Sequence, residues 1–205
     1  MRRFRPARMQ QIKDWFPVLN GKGAVLDVGG TWGWWKMMDV PNRDITIVNL
    51  DTYHEKEVLA AGYKFSSANG CQLPFADKQF DLAFSNSVIE HVGGLAEQRQ
   101  FAKELMRCGK EIYLQTPAKC FPIEPHLMAP FIHWLPVGVQ RYLVRWLSVW
   151  GWATRPNMKQ IDEFLAGTRP MTRSEVVSMF PGCEIHTEKF MGLTKSYIVV
   201  RRAAR

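Results

Sequence analysis

The chain predicts an α/β fold built on an open, mostly parallel sheet with helices on both faces. Three observations carry this. A short apolar run at residues 24–28 ends in a glycine turn (Gly29, Gly30, Gly33) that leads into a helix-compatible segment. Residues 45–50, Ile-Thr-Ile-Val-Asn-Leu, are β-branched and nearly all apolar, as a parallel strand covered on both faces requires. Strand-like and helix-like segments then alternate as far as residue 115.

Each element has its own local reason. Residues 9–19 place Ile12, Trp15 and Phe16 at helical spacing, a short amphipathic lead-in. Asn20-Gly21-Lys22-Gly23 is a turn, and residues 24–28 are the first strand. Residues 63–66 form a short third strand, followed by the polar turn 67–70. Residues 80–85 read as a fourth strand, 97–108 as a helix stopped by Gly109, and 111–115 as a fifth strand. Residues 118–170 break the alternation with proline, tryptophan and methionine, and read as a helical or irregular lid insertion. A helix over 171–180 opens on Thr172 with Glu175 three residues on, the spacing of a capping box. Residues 184–188 and 197–201 are a closing antiparallel pair, within a single domain over 1–205.

Composition narrows the class. Hydrophobic residues make up 46% of the 205 and charged residues 22%, which excludes a disordered chain. The net charge of +8 suits a basic enzyme, an anionic membrane surface, a phosphorylated substrate or nucleic acid. Cys71, Cys108, Cys120 and Cys183 are widely spaced, so neither a zinc site nor a disulfide framework is expected, and a reducing cytoplasm is the simplest setting. No uninterrupted apolar run follows the basic start, and the apolar stretch 130–152 is cut by Pro136 and carries Arg141 and Arg145; neither a signal peptide nor a spanning helix is expected.

In such a sheet a ligand lies across the carboxyl ends of the strands. Three positions fall there in order: the glycine turn, Asp51 after the second strand, and Asn69 after the third. A carboxylate at Asp51 accepts from both hydroxyls of a ribose diol, and the Asn69 amide matches an adenine edge. Taken singly, Asp51 also reads as a turn residue and Asn69 as half of an Asn-Gly turn; jointly they favour a bound adenosine.

Three stretches carry a resemblance: Val25-Leu26-Asp27-Val28-Gly29-Gly30-Thr31-Trp32-Gly33, then Leu73-Pro74-Phe75 through Phe80-Asp81, then Ser85-Asn86-Ser87-Val88-Ile89-Glu90-His91-Val92. Together they resemble the successive motifs of class I S-adenosylmethionine-dependent methyltransferases, most closely the type 11 methyltransferase domains, over roughly residues 22–116. The resemblance implies a Rossmann-like fold and S-adenosylmethionine as cofactor, with S-adenosylhomocysteine as product and no metal. Asp27, Gly29, Gly30, Thr31 and Gly33 would surround the methionine moiety. Asp51 would hold the ribose, Asn69 with the Gly70 and Cys71 backbone the adenine, and Ser85 and Asn86 the methionine end. Thr31 departs from the family pattern, which has glycine there, and Asn69 stands where the family has aspartate.

His91 is a candidate general base, or else a structural histidine bonded to backbone. Within the insertion, Glu124 and His126 are candidates to face the acceptor, since a similar Phe-Pro-x-Glu-Pro-His stretch recurs in relatives of the group. Val139, Leu143, Trp146, Leu147 and Trp150 stand at helical spacing with Arg141 and Arg145 on another face. That pattern reads as a lid helix on the core, or as a peripheral membrane contact through 137–152. The acceptor expected is a small molecule, sugar or lipid-linked group. A nucleic-acid methyltransferase is an alternative supported only by charge, and a non-catalytic binding or scaffold protein one supported by Thr31 and Asn69. Oligomeric state is not legible.

Overall fold

Strand β1 (Val25–Val28) is buried along its whole length because it is bonded on both edges and covered on both faces. The structure, a computed structural model, describes residues 4–124 and 127–203, the side chains of Phe4, Arg5 and Glu124 excepted. The elements run α1 (Phe4–Trp15), β1, α2 (Trp32–Met38), β2 (Ile45–Asn49), α3 (Glu55–Ala60), β3 (Lys64–Ser67), β4 (Phe80–Asn86), α4 (Leu95–Cys108) and β5 (Gly109–Pro117). After these come the short pair β6 (Ile123–Glu124) and β7 (Ala129–Pro130), then α5 (Val137–Leu147), α6 (Val149–Thr154), α7 (Met158–Ala166) and α8 (Arg173–Met179). Strands β8 (Glu184–Phe190) and β9 (Leu193–Arg201) end the sheet.

The seven-stranded sheet has the order β3-β2-β1-β4-β5-β9-β8. Strands β3 to β5 are parallel, and β9 and β8 close the sheet antiparallel, as the sequence predicts. Alternate residues of the strands feed two cores. Leu26 and Val28 pack with Phe101 and Leu105 of α4 and Val176 of α8. Val25, Ile45 and Phe84 pack on the other face with Ile12 of α1, Trp35 of α2 and Val58 of α3.

Several elements differ from their sequence expectation, each for a local reason. The lead-in helix starts at Phe4 and ends at Trp15, because Pro17 disfavours helical geometry in the residue before it; residues Pro17–Asn20 are a 3-10 turn instead. Gly109 does end α4, but in extended backbone (φ −97°, ψ 141°) as the first residue of β5. Its missing side chain is a packing requirement, since a Cβ there would lie 2.5 Å from that of Ala83. Helix α3 has a single buried residue, Val58, and so leaves no periodic trace in the sequence.

The insertion is more ordered than its composition suggests. It leaves the sheet at Ala118 and returns at Met171, and these two residues pair directly. Its own small core joins Leu127, Ala129, Ile132, Val144 and Ile161. The expected continuous helix through residue 150 is broken at Ser148, whose backbone is extended (φ −120°, ψ 146°). The Ser148 hydroxyl accepts from the Gly151 N–H at 2.8 Å and donates to the Val144 carbonyl at 2.5 Å, so it ends one helix and caps the next. The predicted apolar face is thereby split. Leu143 and Trp150 turn inward against that core, while Val139, Trp146 and Leu147 face outward. Helix α7 carries a full capping box between Asn157 and Gln160, a sequence signal not used above.

The capping box at α8 is formed as expected, with the Glu175 N–H on the Thr172 hydroxyl and the Thr172 N–H on the Glu175 carboxylate at 2.8 Å. Thr172→Ala removes one of these bonds and is expected to cost about 1 kcal/mol, read as a lower urea midpoint at unchanged m-value.

Candidate functional site

The strand order reverses between β1 and β4, so the crevice for a ligand opens outside their carboxyl ends. The glycine turn there is fastened from three sides. Gly29 has φ +77° and donates to the Val48 carbonyl at 2.7 Å, and a Cβ on it would strike the Val88 side chain. Asn49, the last residue of β2, donates to the Gly30 carbonyl at 2.9 Å. At Gly30 any Cβ would overlap the Asp27 carboxylate. Glycine is obligatory here because a buried acid occupies the space a side chain would need.

Asp27 has no exposed surface. Its Oδ2 accepts from the Trp35 indole N–H at 2.6 Å, and its Oδ1 has no partner among the described residues. Burial pushes its pKa up to about 7, with the Trp35 bond opposing the rise. Trp34, one residue earlier, buries an indole N–H that also has no partner among the described residues. Both groups line one cavity of about 120 Å³ with Gly29, Gly30, Thr31, Phe84 and Asn86. A buried acceptor and a buried donor, each without a partner among the described residues, thus belong to residues that wall a small aromatic chamber, a set that matches an ammonium beside a carboxylate.

A polar cluster borders this chamber. The Asn86 side-chain oxygen accepts from Arg8 of α1 at 3.4 Å, and Arg8 forms an ion pair with Glu188 at 3.0 Å through two parallel bonds. Glu188, beside a bulge in β8, also accepts from the Ser196 hydroxyl at 2.9 Å. Helix α1 is therefore pinned over the strand ends by a half-buried guanidinium.

The remaining predicted residues divide. Thr31 is exposed at the start of α2 in extended backbone (φ −131°, ψ 145°). Gly33 lies in α2 with open space around a built Cβ. Asp51 stands exposed just past β2, its carboxylate accepting from the Tyr53 N–H at 3.1 Å. The Asn69 oxygen is spent on the Cys71 N–H at 2.9 Å, which is the turn alternative, and its amide nitrogen makes no hydrogen bond among the described residues. Gly70 lets Phe101 pack close, and burial with the nearby Glu97 pushes the Cys71 thiol up. The Ser85 hydroxyl, fully buried, donates to the Val28 carbonyl at 3.0 Å and bolts β4 to β1; it does not face the chamber.

His91 is exposed, and its Nδ1 bonds to the Gly167 carbonyl at 3.1 Å, the structural alternative. Beside it, buried Glu90 accepts from the Thr116 hydroxyl at 3.0 Å. His126 and the Glu124 side chain lie outside the described residues. A second cavity, about 320 Å³, runs from Gly93 and Gly94 past Lys119 to His133, Val137 and Gln140 of the insertion. His133 bonds the Lys119 carbonyl at 3.1 Å through Nε2, and its buried Nδ1 has no partner among the described residues. No group of three or more metal-ligating side chains occurs among the described residues.

Sequence reasoning missed Trp34, Asn49 and Arg8. The run Trp32-Gly33-Trp34-Trp35 directly after the turn is the one signal for the first. Nothing local marks the other two, because their roles come from tertiary contact.

Comparison with known proteins finds relatives of the fold. The family model described as a methyltransferase domain matches residues 26–111. The uncharacterized protein Rv1509 of Mycobacterium tuberculosis is 30% identical over 98 residues, 42% of this chain and 33% of that protein, so the chain spans about a third of the curated relative it matches. The whole fold is similar to an S-adenosylmethionine-dependent methyltransferase from Mesorhizobium loti (TM-score 0.57, 14% identity, 94% of this chain and 96% of that one). It is also similar to the N-methyltransferase NodS from Bradyrhizobium japonicum (TM-score 0.56, 10% identity, 97% and 96%).

The raised Asp27 pKa has a measurable consequence. Between the ordinary value of 3.8 and about 7, the folded chain holds a proton that the unfolded chain has released. The ligand-free protein therefore loses stability as pH rises through that window. Between about pH 5 and about pH 8 this one group should account for roughly 2–3 kcal/mol. Urea unfolding of wild type and Asp27→Asn at both pH values checks it: the difference between the two should change by that amount.

Proposed function

We propose that this chain, which carries a methyltransferase domain in residues 26–111, transfers a methyl group from S-adenosylmethionine to a small-molecule, sugar or lipid-linked acceptor. The observation that carries this reading is a pair of buried atoms without partners among the described residues, Asp27 Oδ1 and Trp34 Nε1, on residues that line the chamber at the glycine turn. An α-amino acid end presents an ammonium to the first and a carboxylate to the second. At Gly29 and Gly30 a Cβ would strike Val88 and the Asp27 carboxylate, so the turn backbone stays close beside the chamber, and the residues present fit the group.

Bound there, S-adenosylmethionine supplies a sulfonium methyl whose transfer leaves a neutral thioether. The protein's part is positioning. Asp27 holds the ammonium and is kept ionised by it, since an opposite charge lowers a carboxylate pKa. Trp34 donates to the carboxylate. Asp51, exposed at the end of β2, takes the ribose hydroxyls, and the Asn69 amide nitrogen donates to an adenine ring nitrogen, its oxygen being engaged in the turn. Asn86, held by Arg8, sets the methionine end against the strand edge. The acceptor enters the larger cavity beneath the insertion, where Lys119 lies at its wall. His91 Nδ1 bonds the Gly167 carbonyl, and no general base is assigned. No described helix is long and apolar enough to cross a membrane. The reading places the protein in the cytoplasm, touching the membrane peripherally through 137–152 where its acceptor is lipid-linked.

Calorimetric titration with S-adenosylmethionine and S-adenosylhomocysteine tests this. Both should bind at about micromolar Kd, with affinity rising about tenfold per pH unit up to about pH 7 and flat above, as Asp27 ionises. Asp27→Asn and Trp34→Phe should each weaken binding about 10- to 100-fold, the worth of a hydrogen bond to a charged group, and Asp51→Ala about tenfold. Folded wild type that binds neither compound at millimolar concentration would instead make this a non-catalytic binding protein.

A further inference from the structure

We infer that α5 and α6 form an in-plane docking face for an anionic lipid bilayer. On α5, Val139, Tyr142 and Trp146 fall three and four residues apart on one outward face, 43%, 71% and 67% exposed. Trp152 of α6, 66% exposed, donates its indole N–H to the Trp146 carbonyl at 2.6 Å, which fixes the two helices as one surface. This apolarity is not needed for folding, because the insertion's own core is filled from the opposite side by Val144 and Ile161. Tryptophan and tyrosine are the side chains whose apolar body and polar tip suit the headgroup boundary.

The charge identifies the occupant. From residue 125 to 161 the chain has no acidic residue, yet carries Arg141, Arg145, Arg155 and Lys159. The Arg145 guanidinium lies over the Trp146 ring at 5.7 Å, a stem laid along apolar surface with its charge outward. Arg141 is paired with Asp162 and Lys159 with Glu163, whereas neither Arg145 nor Arg155 meets a carboxylate among the described residues. Aromatic anchors among unpaired cations complement an anionic membrane. They do not suit a second copy of the same face, which would bring like charges together. The inner side of α5 contributes Val137 and Gln140 to the larger cavity, so docking would set that cavity at the lipid boundary. That last step rests on the methyl-transfer reading; the docking face itself does not.

Vesicle flotation of the full chain decides it, using neutral phosphatidylcholine vesicles and vesicles with about a quarter phosphatidylglycerol. Wild type should float with the anionic vesicles at low salt, at least about tenfold better than with neutral ones, and release as salt rises. Trp146→Glu and Arg145→Glu should each weaken this about tenfold or more, with unchanged thermal midpoint and unchanged S-adenosylmethionine titration. Equal flotation of wild type and variants overturns the inference. So does absence of wild-type flotation, whether the chain is then a monomer or a dimer that Trp146→Glu dissociates. Variant-sensitive flotation in a protein that fails to bind S-adenosylmethionine would uphold the docking face and remove the methyl-transfer reading instead.

Discussion

A single carboxylate without solvent governs the architecture of this crevice. Asp27 is completely buried, and one indole N–H is its only bonded partner among the described residues. An ion in that position costs far more than a neutral side chain unless something opposite arrives to pair with it. The ligand-free fold therefore sits in a compromise, with the acid part-protonated near neutral pH. Much of the surrounding geometry follows from holding this group still. Trp35 is fully buried against Phe84 at 4.9 Å, and Phe84 stacks on Tyr113 at 4.8 Å, so the hydrogen-bond donor is wedged in a column of rings. Gly30 cannot be anything else while the carboxylate occupies its Cβ space.

The crevice is assembled from parts that secure each other across the sheet. Ser85 ties β4 to β1, Asn49 ties β2 to the glycine turn, and Arg8 ties the first helix to the strand edge. None of these three bonds is local in sequence. Each spends a polar side chain at the carboxyl edge on fixing backbone or neighbour, leaving the recognition of a ligand to few atoms. That economy accompanies a division between two adjacent tryptophans, Trp35 holding the acid and Trp34 burying an N–H without a partner among the described residues.

What was legible in the sequence was what periodicity and turn chemistry encode. The apolar runs at β1 and β2, the capping box at Thr172 and the glycine turn each have a short-range cause, and the parallel order with its antiparallel close follows from them. Helix α3, with Val58 alone buried, has no such cause. The break at Ser148 was missed because the apolar spacing runs on through it, while the serine's double role depends on Val144 and Gly151 together. At the site, the glycine turn was legible from its own residues, and Asp27 only through the family resemblance. Ser85 looked like a ligand contact by position, but strand alternation points its hydroxyl to Val28. Trp34 was passed over because its value lies in an absence, an indole N–H without a partner among the described residues.

The pairing of Ala118 with Met171 gives the insertion a closed stem. Its two ends meet at the sheet regardless of what lies between them, and the apolar cluster around Val144 and Ile161 is its own. The stretch is therefore a cassette. Its length and surface can drift, or be exchanged wholesale, without altering the register of β5 against β9 or disturbing the chamber at Asp27. The glycine turn has less liberty, since Gly29 and Gly30 are both tied to β2 and Gly30 abuts the Asp27 carboxylate. Over evolutionary time, one end of this crevice is free to diversify while the other is held constant.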